Sequence, residues 1–103
     1  MPDKAVIDQI ISKILEVITP DKIILFGSRA RGDAKSDSDF DILVIKQGIE
    51  SELSVEQSIY RNLYNVNASV DIIVKTPETI EKSKKRFISI VKEALEEGII
   101  VYE

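Results

Sequence analysis

Cysteine, histidine and tryptophan are missing from this chain. Without cysteine there can be neither disulfides nor thiolate-bound metals. Without histidine any metal ion must be held by oxygen alone, which favours hard divalent cations such as Mg²⁺ or Mn²⁺. No apolar run approaches the roughly 20 residues that a membrane span requires. The N-terminal stretch is acidic and amphipathic, without the basic and apolar regions of a secretory signal, so the expectation is a cytoplasmic protein with no membrane partner. Positive charge is also in deficit: 14 Lys and Arg stand against 18 Asp and Glu, a net charge of −4. That balance argues against docking on long nucleic acid, because such binding draws on lysines and arginines that displace counterions. What is present describes one globular domain over residues 1–103. Apolar residues make up 44% of the chain and charged residues of both signs 31%, enough for a single two-layer core and one site.

Periodicity supplies the elements. Val6, Ile7, Ile10, Ile11, Ile14, Leu15 and Ile18 recur at three and four, which predicts a helix capped by Asp3 and stopped at Thr19-Pro20. Residues 22–26 form a short isoleucine-rich run between Pro20 and Gly27, read as a buried strand. A polar loop is expected over 27–38, and then Phe40, Ile42 and Val44 alternate with Asp39, Asp41, Leu43 and Ile45 as a second strand paired hairpin-fashion with the first. Residues 51–66 read as a partly exposed helix and 70–75 as a third strand. Thr76-Pro77-Glu78 has the cap, first-turn proline and early acid of a helix start. Phe87, Ile88, Val91, Ala94 and Leu95 mark a last helix closed by Gly98, with a terminal strand at 99–102. There is no internal repeat, linker or low-complexity tract. The fold class is therefore α+β, with helices packed on a small mixed sheet.

Chemistry concentrates between Phe26 and Asp41. Gly27 next to Ser28, leaving a strand, can expose backbone N–H groups and a hydroxyl to a triphosphate; its plain alternative is an ordinary turn. Asp39 and Asp41, two apart on a strand, leave the same face with Cα atoms roughly 6 to 7 Å apart. Two like charges on a half-buried face are costly unless a cation neutralises them, and a pair of Mg²⁺ ions about 4 Å apart would suit both carboxylates and phosphate oxygens. Full solvation at a strand end is the alternative, made less attractive by Leu43 and Ile45, which continue the same face as apolar residues. Asp71 interrupts Val70-Ile72-Ile73-Val74. It is either a satisfied structural acid or the third member of a carboxylate cluster, able to act as general base. Arg29, Arg31 and Lys35 could pair with phosphates or be solvated loop charges. The basic cluster of Lys82, Lys84, Lys85 and Arg86 reads chiefly as a solvent-facing patch.

Two other motifs fail on these residues. Gly27 and Gly32 have the spacing of a P-loop, but Asp33 and Ala34 stand where lysine and serine or threonine are needed, and a strand is expected next instead of a helix. Asp37, Asp39 and Asp41 begin like a calcium loop, but Ile42 occupies the obligatory glycine position and Gly48 that of the bidentate glutamate.

The pattern Gly27-Ser28, Asp39-Phe40-Asp41 and a later-strand Asp71 resembles the signature of the nucleotidyltransferase superfamily. The run Gly27-Ser28-Arg29-Ala30-Arg31-Gly32 followed by Ser38-Asp39, with the helix and strand of residues 90–103, resembles its minimal nucleotidyltransferases (MNT). This resemblance implies a polymerase beta-like fold in which Gly27 and Ser28, with Arg29 and Arg31, bind the triphosphate of ATP or another NTP. It further implies that Asp39 and Asp41 ligate Mg²⁺, and that Asp71 ligates metal or serves as base on the acceptor hydroxyl. Relatives of this kind are commonly encoded beside a HEPN-domain toxin and adenylylate one of its tyrosines, so the resemblance implies an antitoxin. Larger relatives carry another domain for the acceptor, and here the site is expected to be completed by a partner, a second copy of the chain, or both. The competing reading is an interaction module that neutralises its partner by binding alone.

Overall fold

In a computed structural model, residues 3–83 and 90–103 are described. The elements run α1 (Lys4–Leu15), β1 (Lys22–Phe26), α2 (Ser28–Arg31), β2 (Phe40–Ile45), α3 (Glu52–Asn62), β3 (Val70–Lys75), α4 (Pro77–Ser83), α5 (Ile90–Glu97) and β4 (Ile99–Tyr102). The strands form one mixed sheet in the order β3-β2-β1-β4. β1 pairs antiparallel with both β2 and β4, and β2 pairs parallel with β3. The expected strands and the hairpin-like β1–β2 pairing are present, as is the mixed sheet. Phe87, Ile88 and the basic residues Lys84, Lys85 and Arg86 lie outside the described residues.

Alternation along the strands gives the sheet two unequal faces. Ile23, Leu25, Phe40, Ile42, Val44, Ile72 and Val74 point to one side, where Ile7, Ile10 and Ile14 of α1 and Ile59 of α3 bury them in the main core. Ile24, Phe26 and Leu43 point to the other, where Ala94 of α5 covers them and Ile45 and Ile73 are only partly buried. Gly98 allows α5 to pass straight into β4: a Cβ there would run into the Ala94 carbonyl and the Ile24 side chain.

Four details differ from expectation. Asp3 precedes α1, but its side chain makes no capping hydrogen bond and meets Arg29 instead, at 3.3 Å. Each fully buried isoleucine contributes roughly 1.5–3 kcal/mol against about 1 kcal/mol for a cap, so burial holds the helix without it. α1 also stops at Leu15, with Val17 and Ile18 in a tight turn whose amides both donate to the Ile14 carbonyl; the helix cannot run on through Pro20, which has no N–H to give the Glu16 carbonyl and keeps Thr19 out of the helical region. Within the expected polar loop, residues 28–31 wind into the one-turn helix α2, ended by Gly32 at φ 85°. Four residues carry no apolar period to reveal it. A helical turn therefore does follow Gly27, and the exclusion of a P-loop rests on Asp33 and Ala34. Finally, α3 spans 52–62 rather than 51–66: Ser51 accepts from the Ser54 amide at 3.1 Å, and Asn65 takes a left-handed φ of 68° beyond the helix end.

α3 also seals the outer edge of β3. Its side chains at Glu52, Glu56 and Tyr60 accept from the amides of Thr76 (2.8 Å), Val74 (3.2 Å) and Ile72 (2.7 Å). Four helical residues rise about 6.0 Å and two strand residues about 6.6 Å, so one stripe of the helix stays in step with every second strand amide. An edge that would otherwise invite another strand is thereby satisfied.

Candidate active site

The register places Asp41 of β2 directly beside Asp71 of parallel β3, and Phe26 of β1 opposite Asp41. Side chains in register on neighbouring strands leave the same face of a sheet. Asp41 and Asp71 therefore share the face covered by α5, with Asp39 two positions earlier at the entrance to β2. Asp41 is half-buried, whereas Asp39 and Asp71 are exposed. Burial pushes the Asp41 carboxyl above its ordinary value; the charges of Asp71, Asp39 and Glu93 push it the same way, and Arg31 opposes them.

Gly27 follows β1 with φ 74° and ψ −156°, a backbone region open almost only to glycine. A Cβ at this position would occupy the space taken by the Asp41 carboxylate. The turn and the carboxylate are therefore packed together, and the absent side chain is what lets them meet. Ser28 begins α2, in which the Ala30 and Arg31 amides already donate to the Gly27 carbonyl at 3.1 and 3.0 Å, so that the Ser28 amide at the start of the turn precedes the first of these bonds.

A pocket of about 310 Å³ opens beside Asp41 and Asp71; Gly27, Ser28 and Asp39 are not among its lining residues. Asp41, Asp71 and Glu93 stand around it, Phe26, Ile73 and Ile90 give it apolar walls, and Tyr60 also lines it. A second hollow, of about 400 Å³, lies by the loop before β2 and is lined by Asp3, Arg29, Asp37 and three serines among others, with none of the three expected aspartates. The smaller pocket is the one with the chemistry, since it combines like-charged carboxylates with an apolar floor.

The donor set fits a hard divalent cation. It is made of oxygen only, and at Asp41 burial and the neighbouring carboxylates outweigh the one opposing cation, Arg31. Among the described residues, however, no group of three or more carboxylates is closed around a single point. Asp41 is the member common to both pairs, beside Asp71 across the strands and Asp39 along the chain.

The two expected arginines divide. Arg31 projects to α5, where it meets Glu93 at 3.1 Å and Glu97 at 3.8 Å, with Asp33 at 3.4 Å. Arg29, expected at the nucleotide, is turned away from the carboxylates. It stacks over Phe40, a residue of the main core, and donates to the backbone of the loop before β2. The physical reason is the helical turn: residues two apart on a helix face different directions. Glu93 was not expected at the site. It faces Asp41 from α5, and its only sequence signal is an acid beside the buried pair Val91 and Ala94.

Comparison with known proteins adds to this geometry. The nucleotidyltransferase domain family matches residues 7–101. A Methanocaldococcus jannaschii protein, provisionally named a protein adenylyltransferase, is 35% identical over 81 residues, which is 79% of this chain and 77% of the relative. A Sulfolobus solfataricus crystal structure, provisionally named a nucleotidyltransferase, has a TM-score of 0.66 at 22% identity and covers 96% of this chain and 78% of its own. A toxin–antitoxin crystal structure with AMP-PNP gives 0.60 at 21% identity, covering 92% and 71%. A mutant of the toxin–antitoxin MntA-HpeT gives 0.63 at 18% identity, also covering 92% and 71%. At these identities the likeness to the solved structures speaks for the fold.

Proposed function

The chain belongs to the nucleotidyltransferase domain family, and from that premise we propose that it is a Mg²⁺-dependent protein adenylyltransferase of the cytoplasm. It moves AMP from ATP to a tyrosine hydroxyl of a partner HEPN-domain toxin, for which it is the antitoxin. The observation that carries this reading is the in-register pair Asp41 and Asp71 on one sheet face, with Gly27 packed against Asp41. The relative named for protein adenylylation supports a protein acceptor, and the toxin–antitoxin structures of the same fold support the context.

In this reading the Ser28 hydroxyl and backbone amide receive the triphosphate, and Asp39 and Asp41 hold Mg²⁺. When bound, that ion supplies Lewis-acid neutralisation of the phosphate charge. Asp71, at the pocket on the far side of Asp41, takes the proton of the attacking hydroxyl. The acceptor oxygen bonds to the α-phosphorus as the bridge to the β-phosphate breaks and pyrophosphate leaves. The apolar walls of Phe26, Ile73 and Ile90 next to two carboxylates suit a phenol, whose ring needs apolar contact and whose hydroxyl needs a base.

The test uses ATP labelled at the α-phosphate, Mg²⁺ and the protein encoded by the neighbouring gene. Label is expected on a partner tyrosine, and Asp41→Asn lowers the rate by about 100-fold or more. Full labelling by Asp41→Asn would refute the metal assignment. A wild-type chain that neutralises its partner in cells without labelling it would establish the binding-only module instead.

A further inference from the structure

Arg29 leaves α2 one residue after Ser28, yet its head ends against the peptide that precedes Asp39. Nη2 donates to the Ser38 carbonyl at 2.8 Å and reaches that of Ser36 at 3.4 Å, while Nη1 donates to the Asp3 carboxylate at 3.3 Å. The guanidinium lies over the Phe40 ring with Cζ 4.3 Å from its centroid. The side chain is only 11% exposed, and Nε is buried with no hydrogen-bond partner among the described residues.

Desolvating a guanidinium while leaving one of its donors unpaired is a poor way to gain stability, because the lost hydration is only partly replaced. A broken local rule of this kind points to a role in the site. The contacts show which role. The loop before Asp39 is a tight turn, with the Ser38 amide donating to the Lys35 carbonyl at 3.0 Å and the Lys35 amide to Ser38 Oγ at 2.8 Å. On its far side the Phe40 amide donates to the Ser69 carbonyl at 2.9 Å, tying the start of β2 to β3. Asp39 thus sits between two clamps, and the Arg29 clamp is the one that reaches back to the Gly27-Ser28 turn.

We propose that Arg29 is a positioning residue: a strut that fixes Asp39 relative to the phosphate-receiving turn without touching the nucleotide itself. The proposal rests on the reading above, in which that turn and Asp39 belong to one nucleotide site. Only an arginine offers a planar fork that can bind two carbonyls and a carboxylate and lie flat on a ring.

Arg29→Lys keeps the charge and loses the fork. Its kcat is expected to fall about 10-fold or more, as for other small misplacements of reacting groups, while KM for ATP stays within about 2-fold, the behaviour of an interaction that does not bind substrate. Amide hydrogen exchange over residues 36–40 is expected to speed by about 10-fold or more, reporting the freed loop. Asp3→Asn, which loosens one contact of the fork, gives smaller changes in the same directions and serves where Arg29→Lys does not fold. A rise in KM with kcat unchanged would overturn the proposal in favour of a phosphate ligand. Unchanged exchange in a folded Arg29→Lys chain, or in Asp3→Asn where only that variant folds, would overturn it whatever the activity. If the wild-type chain transfers no nucleotide, the proposed function fails, while the exchange measurement still decides whether Arg29 braces the loop.

Discussion

At Gly27 the backbone and the Asp41 carboxylate claim the same space, and only a residue without a side chain lets both have it. Gly27→Ala is therefore expected to act twice. Alanine at φ 74° and ψ −156° costs about 1–3 kcal/mol as a strained conformation, read as a lower midpoint in denaturant. The new methyl also displaces the Asp41 carboxylate, and kcat/KM for nucleotidyl transfer is expected to fall about 100-fold, as for displacements of about 1 Å. Loss of stability with full activity would mean that the contact between turn and carboxylate has no catalytic use. The same scale separates Arg29 from Arg31. Two residues apart on one helical turn, the first braces the loop behind Phe40 and the second reaches Glu93 and Glu97 on the opposite face. In the sequence the two are equivalent cations beside a glycine-serine turn. What distinguishes them is the helical turn itself, and no apolar period announces it.

Among the elements, β3 depends most on side chains from elsewhere. Glu52 illustrates the cost and the return. Burial raises its carboxyl, but the Thr76 amide, the Thr79 and Thr76 hydroxyls and Lys75 outweigh that and hold it below the ordinary value of 4.5. A carboxyl lowered by folding gives stability that is present above 4.5 and lost as pH falls through that value toward the lowered one. Thermal melts of the wild type are expected to drop across that acid window. Glu52→Gln should start lower at neutral pH and drop less, and an identical acid slope in the variant would disprove the role assigned to Glu52. This edge also marks where the sequence stops being legible. Strands at 22–26, 40–45 and 70–75 could be read because apolar β-branched runs bounded by turn residues have few other homes, and the pairing of Asp39 with Asp41 follows from alternation alone. The stripe of Glu52, Glu56 and Tyr60 could not be read, because its partners are backbone amides that leave no trace in residue type. Glu93 was hidden for a related reason: on α5 it is one acid among several, and only the packing of that helix over Leu43 and Phe26 turns it toward Asp41.

For the molecule as a whole, the two sheet faces divide the work. α1 and α3 close one face with large, fully buried side chains. The face with Asp41 and Asp71 has α5 over part of it, partly buried Ile45 and Ile73 beneath, and Ile90 56% exposed at the pocket. The larger share of the core thus lies on the side away from the site, which leaves the site side free to carry charges that oppose one another. Such an arrangement gains stability from whatever neutralises those charges in the folded state, since a ligand that binds only the folded chain stabilises it by mass action. At a concentration 100-fold above Kd the gain is about 2.7 kcal/mol, which for a domain of this size is a rise in Tm on the order of 10 °C. ATP with Mg²⁺ is expected to produce that rise in the wild type, and removing the ion with EDTA or replacing Asp41 by asparagine should abolish most of it. An equal rise in EDTA would mean that the nucleotide is held without the ion. An equal rise in Asp41→Asn would place the nucleotide away from the in-register aspartates, since a ligand stabilises the fold only through contacts it makes.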